Sequence, residues 1–341
     1  MSVVQRLLWL VPVALVAACA SSLRPGEHAP VEFSEAVHPQ AEDGFPNWPV
    51  PPDRAETLLT SGNFEVREVK GAGGGTTGAE KHTLYFPDPD IEFKVKWKVV
   101  PGDLDGINNS PRKELAAYAI QTILFEPQNY VVPTSVVLCV PIDQYRERHP
   151  MATPTVSGTK CVMGVLSVWL QDVTVPEELY DPERFVSDAQ YAHYLSNLNL
   201  FTYLVDHRDG RDGNFLVSTD DSRRQAFAVD NGISFGPMVF NYFVPNWTHL
   251  RVAAVRTETI ERLRKLQRKD LDFLLVVVQL EADESGMLVN VPPGPPINPA
   301  GGANERDGVV QFGLKTKEID SVFSRIQKLI QAVDAGEVPG F

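Results

Sequence analysis

The stretch Leu204-Val-Asp-His-Arg-Asp-Gly-Arg-Asp-Gly-Asn-Phe-Leu-Val217 is a loop rich in Asp, Arg, Gly and Asn between two apolar flanks. A short apolar run, Ala226-Phe-Ala-Val-Asp-Asn-Gly-Ile-Ser-Phe235, follows it. In phosphoryl transfer one Asp orients the attacking hydroxyl, while an Asn and a second Asp hold Mg²⁺ at the phosphates. Asp209, Asn214 and Asp230 have these residue types in this order. The same types are common in turns, so an ordinary loop between two strands is the alternative interpretation.

The two stretches also fit a known pair of motifs. His207-Arg-Asp209 and Asn214 match the pattern H-R-D-x-x-x-x-N of kinase catalytic loops, and Asp230 stands where D-F-G has its metal-binding Asp. Together they resemble the kinase-like fold, and they are most similar to type II phosphatidylinositol 4-kinases, bacterial toxin-type serine kinases and secretory-pathway casein kinases. The resemblance implies an α+β, two-lobed protein-kinase-like fold. The N-lobe would be an antiparallel sheet plus one helix, and the C-lobe would be mainly helical.

Length and composition indicate a globular protein. The chain has 341 residues, of which 43% are hydrophobic and 22% are charged, as is usual for folded chains. Its net charge of −13 argues against a nucleic-acid partner, because such a partner requires a basic surface. We divide the chain into four predicted segments: a lipoprotein signal peptide (1–18), an extended tether (19–61), an N-lobe (62–172) and a C-lobe (173–341).

The N-terminal segment resembles a bacterial lipoprotein signal. Its apolar run from Leu7 to Ala18 is short for a membrane span, and the run ends in Val16-Ala-Ala-Cys19. In the resemblance Cys19 is lipidated after cleavage, and Ala20 implies sorting to the outer membrane if the cell is Gram-negative. This predicts an extracytoplasmic, lipid-anchored protein that contacts a membrane surface through Cys19. An ordinary signal peptide or an uncleaved anchor is the alternative.

A glycine-rich stretch lies between the first two predicted strands. Lys70-Gly-Ala-Gly-Gly-Gly-Thr-Thr-Gly78 has the position of a phosphate-covering loop. Because glycine lets backbone N–H groups approach phosphates closely, Gly73, Gly74 and Gly75 are candidate nucleotide-binding residues. A hairpin turn without a ligand is the alternative interpretation.

The third predicted strand, Ile91-Glu-Phe-Lys-Val-Lys-Trp-Lys-Val-Val100, places three lysines on one face. In the resemblance this strand supplies the lysine that contacts the α and β phosphates. Lys96 is the preferred candidate and Lys94 is the second. Periodicity cannot exclude Lys98, and a solvated strand edge would have the same pattern.

A helix is predicted at Ser110–Phe125, with Ser110 as its N-cap and Pro111 in its first turn. Glu114 lies in the same turn. The resemblance implies that the Glu114 carboxylate forms an ion pair with the strand lysine. The alternative is a Glu that the helix dipole favours at this position.

Two cysteines remain besides Cys19. Cys139 and Cys161 lie in two strand-like runs, and outside the cytoplasm such a pair can oxidise. If the two strands pair, a disulfide is geometrically possible. The alternative is a pair of buried free thiols.

The predicted C-lobe is mainly helical. One helix, 188–205, leads into the loop that carries Asp209, and a long helix is predicted at 258–281. Residues 282–310 are rich in Pro, Gly and Asn, which predicts a flexible excursion. The chain then ends in an amphipathic helix at 315–335, where apolar residues recur at helical spacing.

The resemblance implies ATP and Mg²⁺ as cofactors and gives each candidate residue a role. Lys96 or Lys94 holds phosphates, Glu114 orients that lysine, Asp209 positions the acceptor hydroxyl, and Asn214 and Asp230 carry the metal. The acceptor is unknown, because a protein, lipid or small-molecule hydroxyl all fit. Two alternatives remain open: an enzyme that transfers AMP, and a nucleotide-binding pseudokinase or scaffold without turnover.

Overall fold

The structure, a computed structural model, describes residues 44–73, 78–106, 110–211, 213–220, 225–236 and 246–341. Within these residues the chain has an α+β fold with antiparallel sheets. The largest sheet has five strands: β1 (Glu65–Gly71), β2 (Glu80–Phe86), β3 (Ile91–Val99), β4 (Ser135–Pro141) and β5 (Cys161–Val168). Their order across the sheet is β1-β2-β3-β5-β4. The signal peptide, Cys19, Gly74 and Gly75 lie outside the described residues.

Alternation along β3 orients the lysines. Phe93, Val95 and Trp97 are buried in the main core, so the lysines between them point to the opposite face. The register of the sheet pairs Lys94 with Thr83 and Lys96 with Lys81. Side chains of paired residues lie on the same face, and this face of β2 and β3 is therefore polar and basic.

The first helix, α1 (Pro52–Ser61), lies inside the range predicted as an extended tether. Its Ala55 and Leu59 are fully buried, and the helix ends at Gly62, whose φ of 69° is left-handed. The tether was therefore predicted too long. Pro52 favours the first turn of a helix rather than an extended chain, and a glycine after the last turn is a typical stop.

The second helix, α2 (Pro111–Leu124), agrees with the predicted range, and its Leu115 belongs to one apolar cluster with Val137 of β4 and Val165 of β5. Ser110 does not cap it with its side chain, because its Oγ donates to Asp105 at 2.5 Å instead. A short helix, α3 (Ile142–Arg146), follows β4. It lies in the polar insertion between β4 and β5, and its Ile142 and Tyr145 are buried.

The loop with Asp209 is held between a helix and a small sheet. Helix α4 (Pro182–Ser187) leads into α5 (Ala189–Leu204), in which 14 residues are buried. The loop follows α5 directly. Three short antiparallel strands flank the loop, in the order β6-β7-β8: β6 (Val173–Thr174), β7 (Phe215–Ser218) and β8 (Ala226–Ala228).

The predicted long helix at 258–281 is wrong. Helix α6 ends early (Thr257–Arg264), a 3-10 helix covers Arg268–Leu275, and strand β9 begins at Val278. The run of β-branched valines at 276–278 favours a strand over a helix. The apolar spacing of the preceding residues is helical, but it belongs to two short helices rather than one long one.

The predicted flexible excursion at 282–310 is also wrong. Its turn residues separate three strands that join β9 in an antiparallel sheet with the order β10-β9-β12-β11. The final helix, α7 (Thr316–Asp334), confirms the predicted amphipathic pattern, with Ile319, Val322, Ile326 and Leu329 buried. The four strands of this sheet are β9 (Val278–Ala282), β10 (Leu288–Val291), β11 (Ala303–Arg306) and β12 (Val309–Phe312).

The C-terminal sheet packs against the five-stranded sheet through a second apolar cluster. Leu280, Leu288 and Phe312 from the C-terminal sheet meet Val137 and Met163 from β4 and β5. The C-terminal strands are therefore part of the body that carries the lysines. Among the described residues, no helix combines the length and apolar character needed to cross a membrane.

Cys139 and Cys161 form a disulfide, with a Cα–Cα distance of 5.4 Å. This confirms the predicted bridge. In the register of β4 and β5, Cys161 is opposite Pro141, two residues along from Cys139. The bond therefore joins the edge strand β4 to β5, near the end of the pair that faces away from residues 169–172.

Candidate active site

Asp230 meets two lysines of β3, although more than a hundred residues separate them in the chain. The Lys98 Nζ donates to Asp230 Oδ1 at 2.8 Å, and the Lys96 Nζ donates to Asp230 Oδ2 at 3.3 Å. The side chain of Lys98 is 8% exposed, that of Lys96 is 22% exposed, and that of Asp230 is 28% exposed. Because the pairs are largely shielded from water, their attraction is stronger than that of surface ion pairs.

The two lysines are not equivalent electrostatically. Burial lowers the pKa of Lys96 below its ordinary value and outweighs the attraction of Asp230. Burial acts in the same direction on Lys98, but Asp230 and Glu114 outweigh it, and the pKa of Lys98 is raised. Lys94 is exposed and lies farther along the face. Lys98, which periodicity alone could not exclude, thus has the strongest contact with Asp230.

Glu114 is 4% exposed and lies beside the Asp-Asn-Gly segment. Its Oε2 accepts a hydrogen bond from the backbone N–H of Asn231 at 2.8 Å. Burial raises the pKa of this carboxyl, while the charges of Lys98 and Lys96 oppose that shift. The sequence resemblance predicts an ion pair between the Glu114 carboxylate and a lysine of β3. In the structure Lys96 and Lys98 contact Asp230 instead. The contact of Glu114 that the structure shows is with the backbone next to Asp230.

Asp209 and Asn214 belong to one compact loop. Asp209 is 3% exposed, and its Oδ1 accepts from the Arg211 Nε at 2.6 Å, while Arg211 Nη2 contacts Oδ2. The Asn214 Nδ2 donates to the backbone oxygen of Asp209 at 3.0 Å. The backbone oxygen of Asn214 accepts from the N–H of Val229, the residue before Asp230, at 3.0 Å. Asn214 therefore bridges the loop with Asp209 and the strand that leads to Asp230.

His207 is a buried part of the support for this loop. Its Nε2 lies 3.2 Å from the backbone oxygen of Asp230, and burial lowers its pKa. Asp206 has a positive φ of 54° and forms ion pairs with Arg208 and Arg325 at 2.9 Å each. The pattern H-R-D identified His207, but the structural role of Asp206 with Arg325 was missed, because its partner is distant in sequence.

The glycine stretch connects β1 and β2. Gly73 has a φ of 73°, which favours glycine, and the N–H of Ala72 donates to the oxygen of Ala79 at 3.0 Å. The connection is thus a hairpin that begins and ends with paired backbone. Gly74 and Gly75 fall between these points, outside the described residues.

A cavity of about 450 Å³ lies beside the basic face of β2 and β3. Drug-sized ligands usually occupy cavities of this size. Lys94 is one lining residue, and strand alternation places it on the same face as Lys96 and Lys98. The cavity is lined by Lys81, Thr83, Glu92, Phe93, Lys94, Trp169, Leu170, Gln171 and Asp172.

Asn47 fastens the N-terminal segment to residues that line this cavity. Its backbone oxygen accepts from the N–H of Gln171 at 2.9 Å, and its Nδ2 donates to the oxygen of Gln171 at 2.9 Å. Trp48, the next residue, packs at the edge of Phe227 with ring centroids 6.3 Å apart. The sequence analysis did not predict a structural role for Asn47. Its side-chain amide is buried in a proline-rich segment, and a buried amide needs hydrogen-bond partners.

Asp230 and Asn214 are the candidate ligands for Mg²⁺. Within the described ranges, no group of three or more His, Cys, Asp or Glu side chains is placed to hold a metal ion. Mg²⁺ in nucleotide sites is typically bound by one or two protein groups together with substrate phosphates and waters. Asp230, which follows β8, and the side-chain amide oxygen of Asn214, which directly precedes β7, are hard oxygen donors of that kind.

If the site binds a Mg-nucleotide, as the sequence resemblance implies, we expect Lys98→Ala to weaken that binding more than Lys96→Ala does. Lys98 is the more buried and the closer to Asp230, so its loss should raise Kd by about tenfold more, or roughly 1.4 kcal/mol. Isothermal titration calorimetry on both variants measures the difference. Lys328→Ala, at an exposed lysine of the C-terminal helix α7, is the control and should leave Kd unchanged. A larger effect at Lys96 would contradict the assignment.

The chain was also compared with known proteins. No protein-family model matches it, and no curated protein matches it either.

Proposed function

We propose that the protein is an ATP- and Mg²⁺-dependent phosphotransferase, an atypical kinase that acts outside the cytoplasm on a protein, lipid or small-molecule hydroxyl. One observation carries the proposal. The Asp of the Asp-Asn-Gly segment contacts two β3 lysines at 2.8 and 3.3 Å, while Asn214 joins that segment to the loop with Asp209. Positive charge, hard metal ligands and a buried acid are what phosphoryl transfer requires.

The arrangement of elements supports a two-lobed, kinase-like architecture within this proposal. The sheet β1-β2-β3-β5-β4 with α2 would form the N-lobe (62–172), and the remainder would form the C-lobe (173–341). This second range is not mainly helical as expected, because it contains two antiparallel sheets, of three and four strands, beside its helices. The packing of the C-terminal sheet against β4 and β5 means that the C-lobe range also contributes to the N-lobe body.

Each side chain has a role in the proposed reaction. Lys98 and Lys96 neutralise nucleotide phosphates, and Asp230 and Asn214 would hold Mg²⁺, which supplies further charge neutralisation. Asp209 orients the acceptor hydroxyl and receives its proton as the hydroxyl oxygen attacks the γ-phosphorus and ADP leaves. Arg211 holds the Asp209 carboxylate and brings a positive charge to the place where the phosphoryl group is transferred.

The cavity suits the nucleoside part of the ligand. Alternate residues of a strand lie about 7 Å apart, so Lys94 at the cavity and Lys98 at Asp230 are about 13 Å apart along β3. A nucleoside triphosphate is long enough to cover such a distance. Its base and sugar would occupy the cavity by residues 169–172, and its phosphates would point toward Asp230.

The decisive experiment measures nucleotide binding with and without Mg²⁺, followed by transfer from ATP labelled at the γ- or α-phosphate. Mg-dependent binding and γ-label on an acceptor are the expected results. Transfer of the α-label would identify an AMP transferase, and binding without any transfer would identify a pseudokinase. Absence of Mg-dependent binding to the folded protein would contradict the proposal.

The proposed location depends on Cys19. We propose that lipid on Cys19 attaches the protein to the extracytoplasmic face of a bacterial membrane, most simply the outer membrane. The Cys19→Ala variant is expected to lose membrane partitioning, because a protein without a lipid chain or spanning helix has little affinity for the bilayer. Fractionation of cells that express either form measures the change. Unchanged partitioning would exclude lipidation at Cys19 as the anchor.

A further inference from the structure

Arg112 occupies a buried socket that joins the first turn of α2 to the C-terminal part of the chain. Its side chain is 3% exposed. Nη1 and Nη2 donate to the two carboxylate oxygens of Glu318 at 2.7 and 3.1 Å, and Nε donates to Asp105 at 2.7 Å. A contact with two parallel hydrogen bonds fixes the orientation of the guanidinium as well as its position. The start of α7 therefore holds the start of α2.

The socket is shaped for this one side chain. A Cβ at Gly302 would lie 2.9 Å from the Arg112 Nε, so the residue must be small there. Glu318 is itself fixed, because its Oε2 also accepts from the backbone N–H of Lys315 at 2.8 Å. The carboxylate that holds Arg112 is thus anchored to the first turn of α7.

The other side of the same turn of α2 contacts the Asp-Asn-Gly segment. The N–H of Asn231 donates to Glu114 at 2.8 Å, and the N–H of Ser110 donates to the oxygen of Gly232 at 3.1 Å. Asn231 directly follows Asp230. One helical turn therefore connects the Glu318 carboxylate to the residue that contacts Lys98 and would carry the metal.

We propose that Arg112 is a positioning residue for the candidate site, and that residues 313–318 keep α2 in place through two contacts with Arg112, one from the Gly313 backbone oxygen at 3.5 Å and one from the Glu318 carboxylate. The inference rests on the proposed function. A displaced first turn would move the Asn231 N–H, and with it the Asp230 carboxylate, relative to the lysines of β3.

The Glu318→Gln variant tests the inference. Glutamine keeps the size of the side chain and one acceptor oxygen, but it removes the charge that binds Arg112. We expect Kd and KM for the Mg-nucleotide to rise by at least tenfold, with kcat at saturating nucleotide within about twofold of the unmodified protein, because bound ligand restores the arrangement. Arg112→Lys keeps the charge but loses the paired contact, and it should raise Kd in the same direction by a smaller factor.

The matched control is Asp320→Asn on the same helix. The Asp320 side chain is 58% exposed and pairs with Arg268 at the surface, so its loss should change Kd by less than twofold. An equal effect of Glu318→Gln and Asp320→Asn on nucleotide binding would overturn the inference. If the unmodified, folded protein binds no Mg-nucleotide, the proposed function fails and the inference fails with it.

A second measurement avoids mutation altogether. Hydrogen–deuterium exchange of the unmodified protein should slow on addition of Mg²⁺ and ATP in peptides covering 226–236 and also in peptides covering 313–318. Protection confined to the first region would contradict coupling through Arg112, even if the variants fail to fold. Protection in both regions supports it.

Discussion

Asp230→Asn is expected to abolish Mg-dependent nucleotide binding, with a rise in Kd of about 100-fold or more, equivalent to roughly 2.7 kcal/mol. The substitution keeps the size of the side chain but removes the negative charge that Lys98 and Lys96 contact. It also removes the only carboxylate proposed to carry the metal. Because lysines and metal would both lose their common partner, we expect this to be the largest binding effect in the protein.

The measurement is titration of the folded variant with ATP, with and without Mg²⁺. Asp272→Asn is the control: its carboxylate is 53% exposed and pairs with Arg268 at 2.5 Å on the surface, so Kd should not change. Circular dichroism establishes that both variants are folded. Normal Mg-dependent binding by Asp230→Asn would show that the metal and phosphates are held elsewhere.

Asp209→Asn should have the opposite profile. Nucleotide binding is retained within about threefold, whereas the rate of transfer falls by about 10²-fold to 10⁴-fold, the usual contribution of a general base. The reason is position: Asp209 contacts Arg211 and the loop, and the lysines that hold phosphates contact Asp230. A variant that lowers the rate without weakening binding has lost an interaction of the transition state.

Single-turnover measurements with γ-labelled ATP distinguish the two steps. Asp206→Asn is a useful comparison, because this acid also lies in the loop but pairs with Arg208 and Arg325. We expect Asp206→Asn to lower stability, and to lower the rate less than Asp209→Asn does. Transfer at an unchanged rate by Asp209→Asn would remove it from the mechanism.

Much of the described fold could be predicted from local patterns. Alternation in β3 and helical spacing in α7 each reflect a single buried face, and burial of one face imposes a period that the sequence displays. The disulfide was also predictable, because both cysteines lay in strand-like runs. The order of Asp209, Asn214 and Asp230 identified the loop and the segment that the structure brings together.

Other features could not be predicted because they depend on distant contacts. Lys94, Lys96 and Lys98 have the same local pattern, and only the position of Asp230 distinguishes Lys98. From the sequence Arg112 looks like a surface residue of a helix. Its partner Glu318 is 206 residues away in the chain, and only the fold brings the two together. The segment 278–312 is rich in turn residues and therefore looks like a loop in the sequence. Its four strands are stabilised by pairing with each other, which local sequence patterns do not show.

The attachment of Asn47 to Gln171 has a consequence for the reach of the protein. If Cys19 is held in a bilayer, the chain from there to Gly44 can extend by at most about 90 Å, at roughly 3.5 Å per residue. The chain enters the fold beside the cavity rather than at a remote end. The candidate site would therefore stay within that distance of the membrane. Acceptors that are embedded in the bilayer or attached to it would meet the site at a high effective concentration.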